Sequence, residues 1–204
     1  MAFDLLALVT CEEIPDPALP VALLQAGLPC LHIRSLTFGR QQFSEYLSRI
    51  PEVFHSRIMI HTHYELALSF RLRGIHFTEK AKAERKEILT PNSFKHCQLS
   101  ASFHSLADLA ANDFPYDYVL LSPVFDSISK EKYPGAFSPE ALKAFFQSLR
   151  KTGASKIYAL GGVGAAQLRL CQSIGFDGAA LYGAIWQSPD PLEAWKNLLA
   201  GIQH

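Results

Sequence analysis

Apolar and polar positions fall in blocks along the chain. Short apolar runs at residues 4–9, 30–33, 57–60, 74–77, 97–99, 118–121, 156–160 and 178–181 have the length and composition of buried β-strands. Between and after them, residues 17–26, 38–49, 64–72, 81–89, 106–111, 139–151, 165–174 and 191–199 carry apolar side chains at helical spacing. The stretch 165–174 has the pattern most plainly: Leu168, Cys171 and Ile174 fall three apart on one face, with Arg169, Gln172 and Ser173 off it. Strands that alternate with helices call for parallel pairing, because a parallel neighbour is reached only by a long crossover. Eight such units predict an α/β fold, a (β/α)8 barrel of the TIM-barrel class, with an open doubly wound sheet as the alternative. No linker or low-complexity stretch interrupts the alternation, so residues 1–204 are expected to form a single domain.

Composition narrows the partners. Of 204 residues, 49% are apolar, enough for a large core. Nineteen basic and nineteen acidic side chains cancel, so no global field attracts nucleic acid or an anionic membrane, and an anion must be caught locally. The first residues lack a basic stretch ahead of their apolar run, and no window reaches about 18 apolar residues, which predicts a cytoplasmic protein with no membrane partner. Cys11, Cys30, Cys97 and Cys171 lie far apart, form no CxxC pair and sit in mostly apolar surroundings, the pattern of buried free thiols.

A barrel of this kind carries its chemistry in the loops that follow the strands. After the sixth strand comes "SPVFDSISKEKYPG", where Ser127, Ser129 and Lys130 offer two hydroxyls and an ammonium within four positions, a donor density suited to phosphate. After the seventh comes Gly161-Gly162, which lets a ligand approach the backbone just before a helix exposes its first amides. Gly183 follows the eighth strand in the same way, and the last two loops of such barrels frequently make a phosphate site. Read alone, the glycine pair is also consistent with a tight turn.

The order "DYVLLSPVFDSISK", "IYALGGV", "GFDGAALYGAI" resembles the thiamine phosphate synthase and TenI-like superfamily over residues 31–185. The resemblance implies a (β/α)8 barrel of thiamine biosynthesis that binds a small phosphorylated thiazole. It matches the family's TxTK loop to Ser127-Ile128-Ser129-Lys130. Thiazole-phosphate contacts then fall to Ser127, Ser129, Lys130, Gly161 and Gly162, with Tyr182 and Gly183 at the end of strand eight. It also implies a homodimer.

The family's QxRxK diphosphate motif becomes His32-Ile33-Arg34-Ser35-Leu36, its Asn-Asp pair becomes His61-Thr62, and a further acidic position falls on Ala81. Carboxylate oxygens for Mg2+ are therefore missing from both positions, and Glu79 is the nearby acid. His32 and His61 fall on the pyrimidine side, and Arg34 is expected to meet a substrate carboxylate or second anion.

The family's SxHS motif is present as Ser102-Phe103-His104-Ser105. The resemblance makes its histidine the acid/base group of a TenI-like thiazole tautomerase, with Ser102 beside the substrate, and imidazole suits the exchange of a proton near neutrality. His104 could alternatively cap the following helix. The leading expectation is this tautomerase, with no cofactor and no metal ligand assigned.

Thiamine phosphate synthase, joining pyrimidine diphosphate to thiazole phosphate and calling for Mg2+, is the alternative. Two further readings stay open. One is a non-catalytic binder of a phosphorylated ligand. The other is a metal hydrolase in which His61 and His63, two apart on a strand end, join His32, His76 and His104 around zinc.

Overall fold

The computed structural model describes residues 3–11, 16–89, 94–126, 135–149 and 155–201. Eight parallel strands follow one another around a closed barrel: β1 (Asp4–Cys11), β2 (Leu31–Ser35), β3 (Ile58–Ile60), β4 (Gly74–Phe77), β5 (Gln98–Phe103), β6 (Tyr118–Leu121), β7 (Lys156–Leu160) and β8 (Gly178–Leu181). The helices are α1 (Ala18–Gln25), α2 (Arg40–Ser48), α3 (Glu65–Ser69), α4 (Glu79–Ala83), α5 (Arg85–Leu89), α6 (Leu106–Ala110), α7 (Pro139–Leu149), α8 (Ala165–Ile174), α9 (Gly183–Trp186) and α10 (Pro191–Ala200). No helix among the described residues is long and apolar enough to cross a membrane.

The chain forms two compact units, residues 6–99 and residues 1–5 with 100–204, and the boundaries fall inside β1 and β5. In the first unit, Leu31, Ile33, Ile58, Met59, Ile60, Ile75 and Phe77 are buried on the strands, and Leu23, Leu24, Phe43 and Leu47 cover them from α1 and α2. Burying each such side chain is worth about 1.5–3 kcal/mol. In the second, Val119, Leu120, Leu121, Ile157, Ala159, Ala179, Ala180 and Leu181 form the strand interior, and Leu142, Phe146, Leu168, Cys171 and Trp195 pack from the helices. Strands buried on both faces read as unbroken apolar runs, which is why the eight runs stand out in the sequence.

Four expectations change in detail. The stretch 81–89 is two short helices, because Glu84 leaves helical geometry between them. Strand β5 runs on to Phe103, so Ser102 belongs to the strand and pairs in register with Leu120 instead of lying in a loop. A 3-10 helix, Glu52–Arg57, precedes β3, and α9 follows β8; both are too short for periodicity to register. Cys97 is a half-buried free thiol, while Cys30 and Cys171 are buried free thiols as expected.

Candidate functional site

Register brings histidines together in the first unit. Leu31 pairs with Ile58, Ile33 with Ile60 and Ile60 with Ile75, so His61 and His76 stand at one level and His32 is offset along β2. Because alternate residues share a face of a strand, His32 lies on the same face as Arg34. The result is a compact group in which His32 Nδ1 lies 2.9 Å from His61 Nε2. The His61 and His76 rings stack with centroids 4.2 Å apart, and His32 is edge-on to both at 5.2 and 5.3 Å.

His32 and His76 are fully buried and His61 nearly so, a rare setting for imidazole. Burial holds all three rings neutral. It pushes His32 down to about 3, with the charge of Arg73 adding to the effect. His61 and His76 are also held well below the usual value, again by burial first and then by neighbouring histidines and Arg34.

The surroundings are polar. The Tyr64 hydroxyl donates to the His76 carbonyl at 3.2 Å, and burial pushes its pKa up to about 12. Thr62 Oγ1 is buried with no hydrogen-bond partner among the described residues. Glu79, the acid after β4, is largely exposed and paired with Lys82 at 2.9 Å.

His63 does not share the strand-end face expected for it. Strand β3 stops at Ile60, His63 takes a positive φ of 51°, and its Nε2 donates to the Phe38 carbonyl at 3.1 Å. His76, expected from the sequence only as one of five histidines around a metal, completes the group, whereas His63 is turned away from it. Thr62 entered the sequence reading only as the residue replacing the acid of the family's Asn-Asp pair, and Tyr64 only as the start of the helix at 64–72, where it is the N-cap of α3; neither pattern pointed to a place beside the histidines.

The second unit holds His104, Ser102 and the glycine loops. His104 follows β5 with an exposed ring whose Nδ1 lies 2.9 Å from the Ser122 carbonyl and 3.2 Å from Ser122 Oγ. A carbonyl can only accept, so Nδ1 carries the hydrogen and the neutral ring keeps its lone pair on Nε2. The capping alternative is corrected: Ser105 is the N-cap of α6, its hydroxyl accepting from the Asp108 amide at 3.0 Å.

Gly161 and Gly162 follow β7 with φ of 92° and 66°. A Cβ at Gly161 would lie 2.9 Å from Pro123 Cα, and one at Gly162 would strike the Asp126 carbonyl. The loop they touch is tied to β7 by Val124 N donating to Leu160 O at 2.9 Å and Phe125 N donating to Gly161 O at 3.1 Å. The pair is therefore required by loop packing, whether or not a ligand approaches it. Tyr182 is the N-cap of α9 and Gly183 opens it. Ser127, Ser129 and Lys130 lie outside the described residues.

Comparison with known proteins agrees with this architecture. The thiamine-phosphate synthase of Desulfitobacterium hafniense (strain DSM 10664 / DCB-2) is 28% identical over 183 residues, covering 86% of this chain and 84% of that one. The crystal structure of thiamine phosphate pyrophosphorylase from Bacteroides thetaiotaomicron superposes with a TM-score of 0.76 at 29% identity, covering all of both chains. A thiamine phosphate pyrophosphorylase from Pyrococcus furiosus shares the fold with a TM-score of 0.79 at 17% identity, over 98% of this chain and 96% of that one. The sequence model of thiamine monophosphate synthase matches residues 6–185, and the chain belongs to that family.

Proposed function

We propose that the chain is a thiamine phosphate synthase, a transferase joining a pyrimidine diphosphate to a phosphorylated thiazole. The observation that carries this reading is the family match over residues 6–185, with relatives of that name along most of their length. Amides at Gly161, Gly162 and Gly183 hold the thiazole phosphate, assisted by Tyr182, Ser127, Ser129 and Lys130, and Ser102 lies beside the thiazole. Support comes from the position of the glycines immediately after β7 and β8. His32 and His61 line the pyrimidine side, and Arg34 meets the charge of the departing diphosphate. The single-domain reading of residues 1–204 is supported by one strand order that runs through both units. The homodimer implied by the resemblance and the cytoplasmic setting expected from the sequence pattern belong to the same proposal.

Mg2+ is the cation that the family's condensation implies, and the residues present do not fit it. Mg2+ demands oxygen ligands, usually carboxylates. Here the corresponding positions hold His61, Thr62 and Ala81, and the carboxylate of Glu79 is engaged by Lys82. No step is assigned to Mg2+. Neutralisation of the diphosphate falls to the guanidinium of Arg34.

The tautomerase is the second reading, favoured by two observations: Nε2 of His104 is left as a base, and the acids of the diphosphate half are missing. The purified chain is assayed for thiamine phosphate formed from the two synthase substrates, and separately for tautomerisation of carboxylated thiazole phosphate. Condensation at about one turnover per minute or faster, a barrier near 20 kcal/mol, is expected. Tautomerisation without condensation would transfer the assignment to the second reading.

A further inference from the structure

We propose that His32, His61 and His76 bind a late first-row divalent cation, of which Zn2+ is the representative. Their ligand-capable nitrogens all lie within 4.8 Å of one another, and all three residues are buried. A tetrahedral Zn2+ with bonds of about 2.0–2.1 Å holds its nitrogens roughly 3.3 Å apart, so small side-chain rotations would bring the group to coordinating distance. His32 and His61 already approach to 2.9 Å. His32 and His76 lie within strands, and His61 directly follows one, all in the same compact unit. Ligands held by a sheet lose little freedom on binding a metal, which is the condition for a preorganised site.

The donor chemistry selects the metal. Imidazole suits Zn2+, Co2+, Ni2+ and Cu2+, whereas Mg2+ asks for oxygen. Three protein ligands leave a fourth position, the arrangement of metal sites that hold water or a substrate group. Arg34 and Lys82 act electrostatically on His76, and Arg34 acts on His61. These cations disfavour a bare dication, so the fourth ligand is an anion such as hydroxide or a phosphate oxygen. The competing account is a metal-free core in which the three neutral rings only stack and hydrogen-bond.

The inference concerns binding and does not rest on the transferase reading, so its test reads the metal alone. The full-length chain is stripped with chelator and titrated with Co2+, whose four-coordinate sites absorb strongly in the visible range. One equivalent of Co2+ retained through desalting, with that absorption and its loss on addition of Zn2+, is the expected result. Wild-type protein that retains no cobalt and develops no absorption would overturn the proposal. His61→Ala and His76→Ala should each weaken binding by about 10- to 100-fold or more, while His63→Ala, turned toward the Phe38 carbonyl, should leave it unchanged. Equal affinity in all three would also overturn it. If the alanine variants do not fold, X-ray absorption on cobalt-loaded wild type decides: three imidazoles in the coordination shell uphold the site, and fewer overturn it.

Discussion

At His104 the ring's Nδ1 is committed to the Ser122 carbonyl, and that one hydrogen bond determines which nitrogen is available for chemistry. If Nε2 carries a proton in tautomerisation, His104→Ala should lower that rate by about 10² to 10⁴ and leave the KM for the phosphorylated substrate nearly unchanged, because other loops hold the phosphate. Condensation requires no such transfer at His104 and should fall by less than about tenfold, so steady-state kinetics on both reactions separate the two roles. Gly162 obeys a different constraint. It has a positive φ, and any Cβ there meets the backbone of Phe125 and Asp126. Gly162→Ala should therefore destabilise the fold by about 1–3 kcal/mol, measured by urea denaturation, through overpacking and strain. Gly162→Asp should in addition abolish phosphate binding in a calorimetric titration, and unchanged affinity would remove this loop from the phosphate site.

Among the elements, β2 and β4 carry fully buried histidines, and His61 directly follows β3; together they should make this part of the barrel sensitive to acid. In the folded metal-free chain these rings stay neutral well below the ordinary histidine range, while the unfolded chain takes up their protons near pH 6.5. The unfolded state thus binds more protons as pH falls from about 6.5 toward the folded value, which for His32 is about 3. Stability is lost over that window by up to about 1.4 kcal/mol per pH unit for each such ring. Chemical denaturation in chelator at a series of pH values should show this slope, and His32→Gln should reduce it by one proton's worth. On α6 the effect is local: Ser105→Ala removes the cap on the Asp108 amide and should cost about 1 kcal/mol without altering the pH slope.

For the whole molecule, the two compact units divide inside β1 and inside β5, so each unit holds only part of those strands. A strand shared in this way leaves unpaired backbone if the chain is cut, so residues 1–204 should unfold in one cooperative transition with calorimetric and van't Hoff enthalpies equal. A fragment of residues 6–99 should not fold alone; two separate transitions would contradict the single-domain reading. The sequence by itself determined the fold class and the place of nearly every strand. Strands buried on both faces require continuous apolar runs such as 118–121 and 156–160, and parallel pairing requires the helices between them. It also determined that Gly161-Gly162 fall at a strand end, because that position depends only on where the run stops, whereas His104 stands directly after β5 only because the strand continues past its apolar run to Phe103. Only the tertiary structure decided which histidines meet. His32, His61 and His76 are separated by 29 and 15 positions in the chain and are joined by inter-strand register, whereas His63, two residues from His61, is turned away by the end of β3 and its own positive φ. Register and turn conformation arise from packing between distant segments, and a linear pattern of apolar and polar residues does not contain them.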